Sequence, residues 1–126
     1  NLDYPHGTGH GVGSYLSVHE SPISISKSSN IKLKKGMIIT NEPGFYKHNQ
    51  YGIRIENIML VTKIKKFLGF NTLTLAPLDT KLIDLNLLNI KEKRWINNYH
   101  KKIFTRIHKH LNKKEREWLR LNTMPI

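Results

Sequence analysis

No cysteine occurs among the 126 residues, which excludes disulfides and thiolate metal sites and fits a cytosolic protein. No apolar run approaches the roughly 20 residues of a membrane-spanning helix, and no segment repeats. Acidic residues are scarce: 9 Asp and Glu stand against 21 Lys and Arg, a net charge of +12. Asp3, Asp79 and Asp84 are the only aspartates. With carboxylates this few, the position of each one carries weight.

The densest chemistry lies near the start. Pro5-His6-Gly7-Thr8-Gly9-His10-Gly11-Val12-Gly13 puts two histidines and four glycines into nine residues, and His19-Glu20 follows. His6 and His10 stand four apart, a spacing that shares one face of a helix, as in the HExxH zinc motif. Gly7 and Gly9 argue against a helix, since each costs about 1 kcal/mol in a helix interior. An extended segment separates the two histidines by about 13 Å at about 3.3 Å per residue, whereas metal–imidazole bonds are about 2 Å long. At most one of them therefore binds a given ion. The other faces substrate, and the glycines let backbone or substrate come close.

Two glutamate islands follow. Gly36-Met37-Ile38-Ile39-Thr40-Asn41 reads as a buried strand that delivers Glu42 at its end, where Pro43-Gly44 turns the chain. Gly52 to Val61 reads as a second strand, with Ile53 and Ile55 on one face and Arg54 and Glu56 on the other. Further strands are expected near Tyr15–His19 and Phe70–Leu75, and Ser24 to Asn30 reads as a polar loop. One imidazole and two carboxylates from three segments form a metal-site constellation suited to Mn, Fe, Co or Zn rather than Mg or Ca. Arg54 beside Glu56 would balance charge or hold a carboxylate.

From about Asn89 the period changes to helical. Ile96, Tyr99, Ile103, Ile107 and Leu111 recur every three or four residues, and Asn89 with Glu92 predicts an N-terminal cap. Asn112 with Glu115 predicts a second, shorter helix carrying Trp118, Leu119 and Leu121, closed by Pro125. The apolar stripe is expected to pack on the catalytic domain, with a groove for a partner as the alternative. Residues 89 to 120 hold 11 basic residues and 3 acids, so a nucleic-acid or anionic-membrane surface is the rival reading. Lys outnumbers Arg 16 to 5 and no RNA-binding signature is present, so neither nucleic acid nor membrane is expected as a partner.

Taken together, His6 to Gly13, Val18-His19-Glu20, Asn41-Glu42-Pro43-Gly44-Phe45-Tyr46 and Gly52-Ile53-Arg54-Ile55-Glu56-Asn57 resemble the Xaa-Pro aminopeptidases, metallopeptidases of the pita-bread fold related to prolidase. Phe67 to Phe70, Leu73 to Pro77, Leu82-Ile83-Asp84, Trp95 to His100 and Trp118-Leu119 resemble the C-terminal extension of their longer subfamily. The resemblance implies an α+β chain: residues 1–84 as the second half of a pita-bread domain and 85–126 as the helical extension. It implies metal-assisted hydrolysis of the bond before proline, with two divalent ions, manganese first and zinc or cobalt as alternatives. His10, Glu42 and Glu56 match three of five metal ligands, and Glu42 also matches a proton shuttle. His6 and His19 match substrate-facing histidines that stabilise the tetrahedral intermediate, and Tyr46 and Arg54 match residues that support the ligands.

The family's other two ligands are aspartates on an earlier strand pair. Asp3 is too close to His6 to be either, and Asp79 and Asp84 fall in the extension. The chain opens at Asn1-Leu2-Asp3 without an initiating Met and is expected to be a C-terminal fragment, inactive alone, with apolar surface left open. The partners implied are peptides with proline in second position, the missing N-terminal half of the enzyme, and a homodimer. A prolidase-like dipeptidase and a non-catalytic pita-bread module that binds nucleic acid or protein are the alternatives. The expected geometry is that His10, Glu42 and Glu56 converge while His6 and His19 stand outside that cluster.

Overall fold

Ile38, Ile39 and Thr40 are β-branched and suit a pleated, half-buried surface. They open β3 (Ile38–Asn41), which pairs antiparallel with β6 (Asn57–Ile64). The chain is described here from a computed structural model covering residues 2–15, 17–20 and 22–126. It divides into two compact units, Asn1–Thr74 and Leu75–Ile126.

The first unit is built of antiparallel strands. Beyond β3 and β6 it contains β1 (Gly9–His10), β2 (Ser24–Ile25), β4 (Gly44–Lys47), β5 (Tyr51–Arg54) and β7 (Phe67–Thr72). β3, β6 and β7 form a sheet in that order, while β1 pairs β2 and β4 pairs β5. β1 also reaches β3: Gly11 bridges Ile39, and the Val12 N–H donates to the Ile38 carbonyl at 3.0 Å. Ile39, Met59 and Val61 are the buried core, with Ile25, Leu33 and Met37 packed against them.

One register explains the placement of the glutamates. Asn41 pairs Asn57 and Gly44 pairs Arg54, so the ladder keeps a single alignment across the gap between them. That alignment sets Glu42 opposite Glu56 and Pro43 opposite Ile55. Pro43 has no N–H to give, and the ladder is interrupted there. The strand expected from Gly52 to Val61 is therefore two strands, broken at Ile55-Glu56 as the chain passes from β4 to β3. Ile53 and Ile55 are exposed.

Three other expectations change. Tyr15–His19 is not a strand among the described residues: Ser14-Tyr15 and Val18-His19 are turns, His19 takes φ +56°, and Leu16 lies outside the described residues. Ser24-Ile25 is strand rather than loop because its backbone completes β1. The last strand begins at Phe67 and ends at Thr72, three residues early at each end, because the hairpin turns at Lys65-Lys66 with Lys65 at φ +54°.

The second unit follows its caps. Asn89 and Glu92 form a capping box at the start of α1 (Ile90–Ile107), and Asn112 and Glu115 form another at α2 (Lys113–Asn122). Asp79 and Asp84 cap the short 3-10 turns Thr80–Leu82 and Leu85–Leu87. The stripe of α1 packs within its own unit: Tyr99, Ile103 and Leu119 are buried, with Leu75, Leu78, Ile107 and Leu111 against them. α2 and the segment before α1 pack against this stripe. Among the described residues no helix is long and apolar enough to cross a membrane.

His100 joins that core, fully buried, and its Nε2 accepts from the Leu78 N–H at 3.1 Å. Burial pushes its pKa below the ordinary imidazole value of 6.5, and the Met124 carbonyl opposes this without the geometry of a full hydrogen bond. A depressed histidine favours the neutral form in the folded state, so its contribution is complete above the unfolded value and is lost as pH falls through the folded one. Stability of the chain should fall below about pH 6.5, by at most about 1.4 kcal/mol per pH unit from this group. Thermal melts of wild type and His100→Gln between pH 7.5 and 5 check this. The variant, whose amide oxygen can still accept from Leu78, should lose less as pH drops.

Candidate metal centre

Glu42 and Glu56 fall opposite each other in the gap between the β3–β6 and β4–β5 pairs, and like charges so placed are destabilising unless something positive joins them. Arg54 lies two residues before Glu56 and diagonal to Glu42, and its Nε approaches Glu42 Oε2 at 3.7 Å. The third donor is His10, brought in by β1. Its Nδ1 donates to the Gly11 carbonyl at 3.0 Å, which leaves the Nε2 lone pair directed at Glu42 Oε1, 3.5 Å away. One ligand atom from each of His10, Glu42 and Glu56 lies within 4.8 Å of the others. His10 and Glu42 are largely buried and Glu56 is exposed at the rim.

Two residues outside the expected ligand set hold this geometry, Thr40 and one of the glycines expected to let backbone come close. Thr40 is buried; its Oγ1 accepts from the His10 N–H at 2.9 Å and donates to Glu42 Oε1 at 3.3 Å. The accounting is forced: the amide can only donate, so the hydroxyl proton goes to the carboxylate. A hydroxyl two residues before a carboxylate on a strand shares its face, a signal that was available in the sequence. Gly9 is the second. A Cβ there would fall inside the Thr40 carbonyl, so only glycine lets β1 lie this close to β3. The Glu42 N–H completes the seam by donating to the Thr8 carbonyl at 2.7 Å.

His6 and His19 are not in the three-residue cluster. His6 Nδ1 donates to the Gly7 carbonyl at 2.8 Å, and its Nε2 accepts from the Tyr46 hydroxyl at 2.7 Å. Arg54 Nη1 reaches that hydroxyl at 3.5 Å. Arg54 and Tyr46 therefore link Glu42 to His6. His19 sets its ring edge-on to His10, centroids 4.5 Å apart. His6, His10, His19, Glu42 and Arg54 line one cavity of about 470 Å³, and Glu56 joins His10, His19, Glu42 and Arg54 around another of about 600 Å³.

The donor set fits a divalent transition ion. Bonds of about 2.1 Å put two ligand atoms of one ion up to about 4.2 Å apart, so small side-chain rotations suffice. Imidazole with carboxylates is the chemistry of Mn, Fe, Co and Zn sites. Asp3 is outside the cluster; its exposed carboxylate is held below the usual range by the Tyr4 N–H and then by Lys27.

Residues 1–63 match metallopeptidase family M24, and residues 66–126 match the C-terminal region of peptidase M24. The chain is 46% identical to a probable Xaa-Pro aminopeptidase P of Coprinopsis cinerea and 45% identical to aminopeptidase P1 of Lotus japonicus. Each match covers 99% of this chain but only 22% and 20% of those proteins. A crystal structure of X-prolyl aminopeptidase from Caenorhabditis elegans, described as a cytosolic enzyme with a di-nuclear active site, superposes with a TM-score of 0.88 at 40% identity. It too is matched over 99% of this chain and 22% of its own length.

Thr40→Val keeps the shape and removes the hydrogen bonds, and should weaken Mn binding by roughly 10- to 100-fold, while Thr40→Ser should stay near wild type. Gly9→Ala should abolish the site, because backbone rather than a flexible side chain blocks the new methyl group. Calorimetric titration with Mn measures both. Equal affinity in Thr40→Val would show that the hydroxyl does not orient Glu42.

Proposed function

Because the chain belongs to metallopeptidase family M24, in an α+β arrangement of the pita-bread type, we propose that it forms part of an Xaa-Pro aminopeptidase. The enzyme would remove the N-terminal residue from peptides with proline in second position, in the cytosol as described for the nematode relative. The observation that carries this reading is the convergence of one imidazole and two carboxylates from three separate segments. Near-complete matches to aminopeptidases P, through the helical unit, favour this activity over that of a prolidase.

His10, Glu42 and Glu56 would hold the metal, manganese by family preference. A bound ion would supply Lewis acidity at the scissile carbonyl. The leaving nitrogen is that of proline and must gain a proton. Glu42 is the carrier we assign: Thr40 occupies Oε1 and Arg54 steadies Oε2, so the carboxylate is held in place on both sides. His6 and His19, outside the ligand cluster and lining the same cavity, would bind the substrate and the oxyanion that develops. The Tyr46 hydroxyl now donates to His6 Nε2, and His6 would exchange that contact for one to substrate, with Nε2 then the donor.

These residues supply three ligands, whereas a two-ion site of this family uses five. The two aspartates would come from sequence outside the 126 residues. The 126 residues alone should bind a single Mn weakly and release nothing from Xaa-Pro peptides. The enzyme with the aspartate-bearing region should cleave them in a metal-dependent way, and Glu42→Gln should lower kcat by roughly 10²–10⁴-fold. Turnover of a peptide with proline second, against one with alanine second, checks this. Proline-specific hydrolysis by the 126 residues alone, abolished by Glu42→Ala, would overturn the ligand assignment.

A further inference from the structure

Glu20 directly follows His19 and belongs to neither the ligand cluster nor the core. Its carboxylate is nonetheless fully engaged with backbone. Oε1 accepts from the Tyr15 N–H and Oε2 from the Ser17 N–H, each at 3.1 Å, while the Glu20 N–H donates to the Ser17 carbonyl at 3.3 Å. The two acceptor oxygens thus tie residue 20 back across the turn that leads to it. Gly13 makes room: a Cβ at that position would stand 2.5 Å from both the carboxyl carbon and Oε1.

The turn so held is an unfavourable one. His19 takes φ +56°, a left-handed conformation that a residue with a Cβ adopts only at a cost. Among the described residues no hydrogen bond reaches the His19 imidazole, whose ring contact is with His10. Backbone therefore sets where this side chain points, and the Glu20 carboxylate restrains that backbone.

We infer that Glu20 is a positioning residue: by clamping the Tyr15 and Ser17 amides it holds the left-handed turn that presents His19 to the substrate cavity. The substrate-facing part of this inference rests on the proposed role of His19.

The test uses the full enzyme containing this chain, with Glu20→Ala, Glu20→Gln, Gly13→Ala, His19→Ala and the Glu20→Ala/His19→Ala double variant. The His19 ring resonance in histidine-labelled protein is the direct readout. It should shift or broaden in Glu20→Ala and Gly13→Ala, and less in Glu20→Gln, which keeps one acceptor. Bound Mn should be unchanged in all of them. kcat/KM should fall by up to roughly a hundredfold in Glu20→Ala, the scale of an ångström misplacement at a reacting centre, with no further fall when His19 is already alanine. A His19 resonance unmoved by Glu20→Ala, or additive losses in the double variant, would overturn the inference. Full activity in His19→Ala, together with a His19 resonance moved by Glu20→Ala, would instead refute the role given to His19 and leave the clamp standing.

Discussion

Two carboxylates placed opposite each other in the break between two antiparallel strand pairs are the constraint on which the rest of this site depends. The alignment that pairs Asn41 with Asn57 and Gly44 with Arg54 sets Glu42 facing Glu56. Water-exposed ladders avoid like charges in register, so the arrangement calls for positive charge between or beside them. Arg54 supplies part of it from the diagonal position. A divalent ion, with His10 as third donor, would supply more. The interruption at Pro43 frees the two glutamates from continuous sheet geometry and lets both side chains turn to the same space.

The third donor arrives through a backbone contact rather than a side-chain one. Gly9 lies against the Thr40 carbonyl, and around this seam the Thr40 hydroxyl, the His10 and Glu42 amides and the Thr8 carbonyl are all paired. A ligand set fixed by backbone hydrogen bonds on short strands is more exact than one carried on long loops. It also leaves little tolerance: the seam has room for hydrogen at position 9 and nothing larger. The histidines outside the cluster are held by other means, His6 by the Tyr46 hydroxyl and His19 by the fold of its own turn.

Much of this was legible in the sequence where local chemistry decides the outcome. Both capping boxes form at the expected residues, because a side-chain oxygen beside unsatisfied amides needs no distant partner. β3 ends at Asn41, just before Glu42 and Pro43. What was not legible depends on partners far along the chain. Nothing local reveals that Gly52 to Val61 serves two different strands and so must break at Ile55-Glu56. Ser24-Ile25 has a polar sequence and becomes strand only because β1 needs a neighbour. Val18-His19 reads as strand by residue type, yet the turn closed by Glu20 overrides that preference. The stripe on α1 was visible, but its covering by α2 and by Leu75 and Leu78 was not, since a period names the buried face and not the element that buries it.

The central claim is that His10, and neither His6 nor His19, gives the imidazole to a metal shared with Glu42 and Glu56. Pulsed electron paramagnetic resonance of the Mn-loaded protein measures this directly, through the coupling of a ligand nitrogen to the metal. The coupling should be present in wild type, persist in His6→Ala and His19→Ala, and vanish in His10→Ala. Nitrogen coupling that survives loss of His10, or disappears with loss of His6 or His19, would contradict it.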